Sequence, residues 1–125
     1  MGQERRGEPI LLEDNAILKR GLLRNHGIGR LYLTPTRLMW KSLLPMPLRL
    51  ISYLAPREIV IELSSIRDMS LRTELWRAWL VLNTSTGRFV LRPGKGSILV
   101  LEENPETTMR WLDAIQLRRK VLSEV

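Results

Sequence analysis

The chain has 125 residues, of which 44% are hydrophobic and 26% charged, a size and composition typical of one folded domain and not of a disordered tail. It contains no cysteine, which excludes disulfide frameworks, thiolate zinc sites and cysteine nucleophiles. The net charge of +7 is unevenly placed, because residues 15–57 hold eight basic residues and no acidic one, and such asymmetry indicates an anionic partner.

Residues 1–7 are polar and charged and are predicted to form a flexible N-terminus, followed by a single domain over residues 8–125. No long apolar stretch follows this N-terminus, which disfavours a secretory signal. A cytoplasmic location is therefore the default expectation, with association at a membrane surface if the basic residues bind lipid.

The first half of the chain predicts three short strands. Residues 16–23 form the first and are followed by the turn-prone sequence Asn25-His26-Gly27. Apolar and polar side chains alternate in residues 29–34 and 37–41, with Leu31, Leu33, Leu38 and Trp40 on the inward side. Because a proline presets a turn, the intervening Pro35 makes these two strands a hairpin.

The second half predicts four more strands, at residues 59–63, 66–71, 78–83 and 88–91, and then one helix. Residues 105–122 change to a helical period, with Asn104 as a cap and Pro105 at the first helical position. One apolar stripe on this helix contains Trp111, Leu112, Ile115 and Leu122. The stripe is expected to pack onto the open end or face of the sheet.

Seven antiparallel strands followed by one amphipathic helix resemble the pleckstrin-homology-like fold, a mainly β, partly open barrel capped by a C-terminal α-helix. Residues 29–38 (GRLYLTPTRL) are similar to the glycine-hydrophobic-Tyr-Leu-Thr hairpin of the GRAM domains in that superfamily. Residues 61–66 (IELSSI) are similar to the family's next segment, and residues 111–115 (WLDAI) resemble the superfamily's tryptophan-bearing helix. The resemblance covers about residues 8–122.

The resemblance also implies a lipid-binding rim. In this fold the loops after strands one, three and six share one rim, and members that bind phosphoinositides place basic residues there; here those loops are residues 24–28, 42–57 and 83–87. The candidate lipid-binding residues are Lys19, Arg20, Arg24, Arg30, Arg49 and Arg57. A guanidinium group suits this role, since it can donate two hydrogen bonds to one phosphate. The alternative is that these charges only solvate exposed strand faces.

Residues 43–55 form an unusually hydrophobic stretch between the third and fourth strands. Its candidate contact residues are Leu43, Leu44, Met46, Leu48, Leu50, Ile51, Tyr53 and Leu54. The stretch is too short and too interrupted, by Arg49 and two prolines, to span a bilayer, which takes about 20 apolar residues. Three fates stay open: insertion into a membrane interface, burial against a protein partner or a second copy, and folding back onto the core.

Catalysis finds little support in the sequence. His26 is the only histidine and is expected to be a solvated turn residue, so neither a metal site nor a catalytic triad is predicted around it. No catalytic residue, metal or cofactor is expected, and Tyr32 and Trp40 are too few to make a stacking platform for nucleic acid. The sequence therefore predicts a non-catalytic module that docks to anionic membrane lipid or a phosphoinositide. The alternative is a protein-interaction or homo-oligomerisation module that uses residues 43–55.

Overall fold

The computed structural model describes residues 8–20, 24–43, 57–74, 77–96, 101–103 and 105–124. These ranges contain eight strands and one α-helix: β1 Leu12–Arg20, β2 Arg24–Leu33, β3 Arg37–Ser42, β4 Glu58–Glu62, β5 Ile66–Glu74, β6 Arg77–Thr84, β7 Gly87–Gly96, β8 Leu101–Glu103 and α1 Pro105–Ser123. A single 3₁₀ turn, Leu63–Ser65, joins β4 directly to β5.

Seven of the strands form one curled antiparallel sheet in the order β4-β3-β2-β1-β7-β6-β5. Every described neighbouring pair is antiparallel, and the short strand β8 pairs with the end of β7. The helix α1 packs against the resulting half-barrel, which confirms the predicted mainly β fold with a C-terminal helix. Strand β8 was not predicted.

The core fills the inner face of the half-barrel, as the period-two alternation predicts. The four residues predicted to point inward from the hairpin are all at most 2% exposed: Leu31, Leu33, Leu38 and Trp40. From α1, Trp111 and Ile115 are completely buried. The Trp111 indole also donates a hydrogen bond to Asp14 Oδ2 at 2.8 Å, which ties the helix to β1.

The absence of a side chain at Gly29 lets the Trp40 indole cross β2. Gly29 is paired with Ala16 on one side and Ser42 on the other. The indole lies directly on the glycine, and Trp40 Nε1 reaches the carbonyl oxygen of Ala16 on β1 at 3.1 Å. A Cβ atom at position 29 would lie only 2.5 Å from both Trp40 Nε1 and the Lys41 carbonyl oxygen. One tryptophan therefore connects three strands through a position that only glycine fits.

The prediction of a turn at Asn25-His26-Gly27 is wrong, because these residues belong to β2. His26 is the extra residue of a β-bulge, since Leu18 pairs with Gly27 and Lys19 pairs with Asn25. Gly27 has a φ of 83°, a conformation that glycine adopts without strain, so the turn-like sequence marks the bulge. His26 is buried at 6% exposure, with its ring 6.4 Å from that of Trp40, and is not a solvated residue.

Strand β7 continues five residues beyond the predicted end at Leu91, through Pro93 and Gly94. Proline usually interrupts a strand because it lacks the amide hydrogen that a ladder requires. Here β6 pairs with β7 only as far as Leu91, and β8 begins its pairing at Gly94. Pro93 therefore falls in the gap between the two partners, where no ladder bond is lost on that side.

Candidate anion-binding site

Cross-strand ion pairs neutralise part of the basic segment 15–57. They are Arg30 Nε–Glu13 Oε2 at 2.7 Å, Arg37 Nε–Glu62 Oε2 at 3.3 Å, and Lys41 Nζ–Glu58 Oε2 at 3.9 Å. All three glutamates lie outside the segment in sequence but face it from a neighbouring strand. Three of the eight cations of the segment therefore face a carboxylate in the folded protein.

Lys19 and Arg92 place their cationic groups over the same indole ring, that of Trp79. Lys19 Nζ lies 4.5 Å from the ring centroid and Arg92 Cζ lies 4.8 Å from it. The two cations are thus no farther apart than the sum of these distances. Attraction to the ring partly offsets their mutual repulsion and holds both in place.

This arrangement lies on the outer face of the sheet. Leu18 points into the core, so its neighbours Ile17 and Lys19 point outward, and Arg92 pairs directly with Ile17. Trp79, Val81 and Val90 form a second, smaller apolar cluster on this outer face. The two cations therefore lie against buried, packed side chains.

Arg20, the last residue of β1, lies at the adjoining rim. Its guanidinium carbon is 5.0 Å from the centroid of the Phe89 ring, and its Nη2 donates a hydrogen bond to the Thr86 carbonyl oxygen at 3.4 Å. The end of β1 and the β6–β7 turn therefore share one rim. Within the described ranges, neither Lys19 nor Arg20 has a carboxylate partner. We refer to Lys19, Arg20 and Arg92 together as the basic end of β1.

The other predicted lipid-binding residues are placed as follows. Arg24 begins β2 opposite Arg20, and Arg30 is held on the outer face by Glu13 and by Asn15 Oδ1 at 2.9 Å. Arg57 is exposed, and its carbonyl oxygen accepts the Ser42 N–H at 3.0 Å. Arg49 lies outside the described residues.

Of the predicted hydrophobic contact loop, the structure describes only Leu43, which is 40% exposed and whose N–H donates to the Ile28 carbonyl oxygen at 3.1 Å. The remaining candidates lie outside the described residues: Leu44, Met46, Leu48, Leu50, Ile51, Tyr53 and Leu54. The three fates of this loop stay predictions.

Sequence reasoning missed Arg92. It lies beyond the predicted end of its strand and outside the basic segment, and no local pattern connects it with Lys19. Only the pairing of β1 with β7, and of β7 with β6, brings Lys19, Arg92 and Trp79 together. Extending β7 by one residue would have placed Arg92 in the strand, but its position beside β1 depends on the strand pairing.

The described residues add three chemical facts about the surface. They contain no group of three or more histidine, aspartate or glutamate side chains placed to hold a metal ion. No helix in the described ranges has both the length and the apolar character needed to cross a bilayer. The pKa of Tyr32 is raised, first by burial and then by the Glu13 carboxylate, with Arg30 acting in the opposite direction.

The fold defines a mainly β half-barrel closed by one helix, with a cationic patch at one end of β1. No protein-family model matches the chain, and no curated protein matches it. Among solved structures it is similar to the C-terminal domain of an unknown protein from Leishmania infantum. The two are 20% identical over 70% of this chain and 72% of that chain, with a TM-score of 0.50. The likeness supports the fold alone, and the GRAM resemblance stays a prediction.

Proposed function

We propose that this chain is a non-catalytic docking module that binds anionic membrane lipids through the basic end of β1. The observation that carries the proposal is the placement of Lys19 and Arg20, which have no carboxylate partner in the described ranges while three other cations of the same segment are ion-paired. Cations that no carboxylate neutralises at one end of a fold are available to an external anion.

The chemistry of Lys19 and Arg20 suits lipid phosphates. Arg20 carries a planar guanidinium that can donate two hydrogen bonds to one phosphate, and Lys19, its neighbour in sequence, adds a compact charge. Each such cation contributes about 1 kcal/mol near an anionic bilayer surface. Lys19 and Arg20 together correspond to roughly a 30-fold preference for anionic over neutral lipid.

Rigidity adds to this preference. The cations are seated on Trp79 and Phe89, which are 5% and 4% exposed, so their side chains lose less freedom on binding than free surface side chains do. The site therefore supports stronger binding than the same charges spread over a mobile surface.

The test is co-sedimentation with vesicles of phosphatidylcholine alone, with added phosphatidylserine, or with an added phosphoinositide. Wild type is expected to sediment with both anionic vesicles and to release as salt is raised. The double variant Lys19→Glu/Arg20→Glu should lose at least roughly 30-fold in partitioning, the equivalent of two cations. Inorganic phosphate as a competitor separates binding to the lipid surface from binding to a free anion.

The matched control is Arg110→Glu/Lys120→Glu, which lowers the net charge equally by changing two exposed residues of α1. This variant should keep the anionic preference. Equal losses in both double variants would show that net charge alone drives sedimentation. Unchanged binding of Lys19→Glu/Arg20→Glu, with an unaltered circular-dichroism spectrum, would dismiss the site.

A further inference from the structure

In the described part of the chain, β5 has a neighbouring strand on one side only. It is the last strand of the sheet and has β6 as its single neighbour in the described sheet order. Arg119 of α1 covers the start of this edge, because its Nη2 donates to the carbonyl oxygens of Ile66 and Arg67 at 3.0 and 3.3 Å. From Asp68 to Glu74 the edge is a template that another strand can extend.

The side chains along this edge divide cleanly between the two faces. Asp68, Ser70 and Arg72 pair with Asn83, Val81 and Trp79, and therefore lie on the outer face. Met69 and Leu71 pair with the buried residues Leu82 and Leu80, and extend the apolar inner face. Both are only half-buried, so a partner strand would cover them further.

Two opposite charges on the outer face of β5 are not joined in an ion pair. Asp68 accepts a hydrogen bond from Asn83 Nδ2 at 2.6 Å, and in the described part of the chain it has no cationic partner. Arg72 is exposed and has no carboxylate partner there. Their Cα atoms are four residue steps apart along the strand, roughly 13 Å, which is too far for an ion pair within one chain.

We propose that a second copy of this chain pairs with β5 in an antiparallel arrangement centred on Ser70. In this register Asp68 lies opposite Arg72 of the other copy, and Arg72 lies opposite its Asp68, so both charges are paired. Met69 and Leu71 lie opposite each other in the same way and join the two apolar faces. This proposal is independent of lipid binding.

Other registers are worse for this sequence. Centring the pair on Asp68 or on Arg72 places like charges opposite each other, which is unfavourable at cross-strand positions. Moving the centre from Ser70 to Leu71 places Asp68 opposite Glu74. A shift of one residue sets charged side chains of one copy against apolar side chains of the other. Of the registers centred on Asp68, Ser70, Leu71 or Arg72, only the one centred on Ser70 places opposite charges against each other.

The geometry of this dimer bears on the docking proposal. The two-fold axis of an antiparallel pair in this register is perpendicular to the sheet, so the outer faces of both copies point to the same side. Trp79 lies one strand inward from β5, beside Arg72, which puts the two Trp79 side chains roughly 20 Å apart. The Lys19, Arg92 and Trp79 side chains of both copies then lie on the same side of the joined sheet, so the second contact with a surface becomes intramolecular.

A cysteine cross-link tests the register directly, because the chain has no cysteine of its own. Residues opposite each other in an antiparallel pair have Cα atoms about 4.5–5.5 Å apart, within the range that a disulfide bridges. Ser70→Cys should therefore form a covalent dimer under mild oxidation, without lipid. Thr73→Cys is the control: it is exposed on the same strand and takes no part in the charge pairs, but would lie opposite position 67 of the partner. Equal cross-linking of the two variants would overturn the proposed register.

A charge exchange tests the interface without a covalent bond. Asp68→Arg and Arg72→Asp should each weaken self-association by at least tenfold in sedimentation velocity, and Asp68→Arg/Arg72→Asp should restore it. A wild type that stays monomeric at millimolar concentration, or a double variant as weak as either single one, refutes the dimer. Loss of dimer in Leu50→Asp alone would assign the interface to the hydrophobic loop instead. Since these assays contain no vesicles, their outcome is separate from that of lipid binding.

Discussion

Replacing Gly29 with alanine should destabilise the protein through a collision with Trp40. The new Cβ would lie 2.5 Å from Trp40 Nε1 and from the Lys41 carbonyl oxygen, well inside contact distance. Trp40 is 2% exposed, so the ring has little room to move. Overpacking of this kind costs about 1–3 kcal/mol. Displacing the ring would also break its bond to Ala16 and leave a buried carbonyl unpaired, at a further cost of about 1–3 kcal/mol.

Alanine recovers part of this loss, because a glycine inside a strand is roughly 0.5–1 kcal/mol less favourable. The net decrease in the free energy of unfolding should be about 2–4 kcal/mol. With a urea dependence typical of small domains, this lowers the unfolding midpoint by roughly 1–2 M. Urea titration followed by circular dichroism measures the shift.

A double-mutant cycle identifies the cause. In a Trp40→Phe background the side chain is smaller and has no indole nitrogen, so Gly29→Ala should cost at least about 1 kcal/mol less than in the wild type. The remaining cost reflects the Lys41 carbonyl, which the second substitution leaves in place. Equal costs in the two backgrounds, or a Gly29→Ala protein as stable as the wild type, would refute the proposed contact.

Two further predictions concern single polar groups. Thr107 is completely buried, and its hydroxyl has no hydrogen-bond partner in the described structure. Thr107→Val should therefore raise the free energy of unfolding by about 1 kcal/mol, measured by urea titration. A decrease would show that the hydroxyl has a partner. The raised pKa of Tyr32 means that the folded state holds the phenolic proton more tightly than the unfolded chain does. The stability that this proton contributes is therefore complete below pH 10.0 and is lost as pH rises through the pKa of the folded state. Tyr32→Phe should therefore show a shallower alkaline fall in urea midpoint than the wild type, and parallel curves would contradict this.

The helix and the central hairpin could be predicted because their signals are local. The helical period and Pro105 predicted a helix at residues 105–122, and the structure has α1 at Pro105–Ser123. The predicted cap residue Asn104 lies outside the described residues. The alternation in residues 29–41 gave the correct inward residues, since the period of a strand fixes its two faces. Both rest on spacings of a few residues along the chain.

What could not be predicted depends on partners that are distant in sequence. His26 was predicted to be a turn residue because a bulge and a turn use the same glycine conformation. Only the pairing of its two neighbours with Leu18 and Lys19 distinguishes the bulge from a turn. The start of β1 was placed too late because Glu13 and Asp14 look like loop residues until Arg30 and Trp111 are seen to bind them. Charge counting along the chain likewise overestimated the positive surface.

The 3₁₀ turn of residues 63–65 makes the two edges of the sheet consecutive in the chain. Strands β4 and β5 lie at opposite ends of the sheet order but are separated by only these three residues. The Leu63 N–H also donates a hydrogen bond to the Thr36 carbonyl oxygen at 3.0 Å. Neither edge strand can separate from the sheet without displacing the other, because these three residues join them. We expect β4 and β5 to exchange their amide hydrogens together, as one cooperative unit, instead of opening separately as the edge strands of an open sheet do.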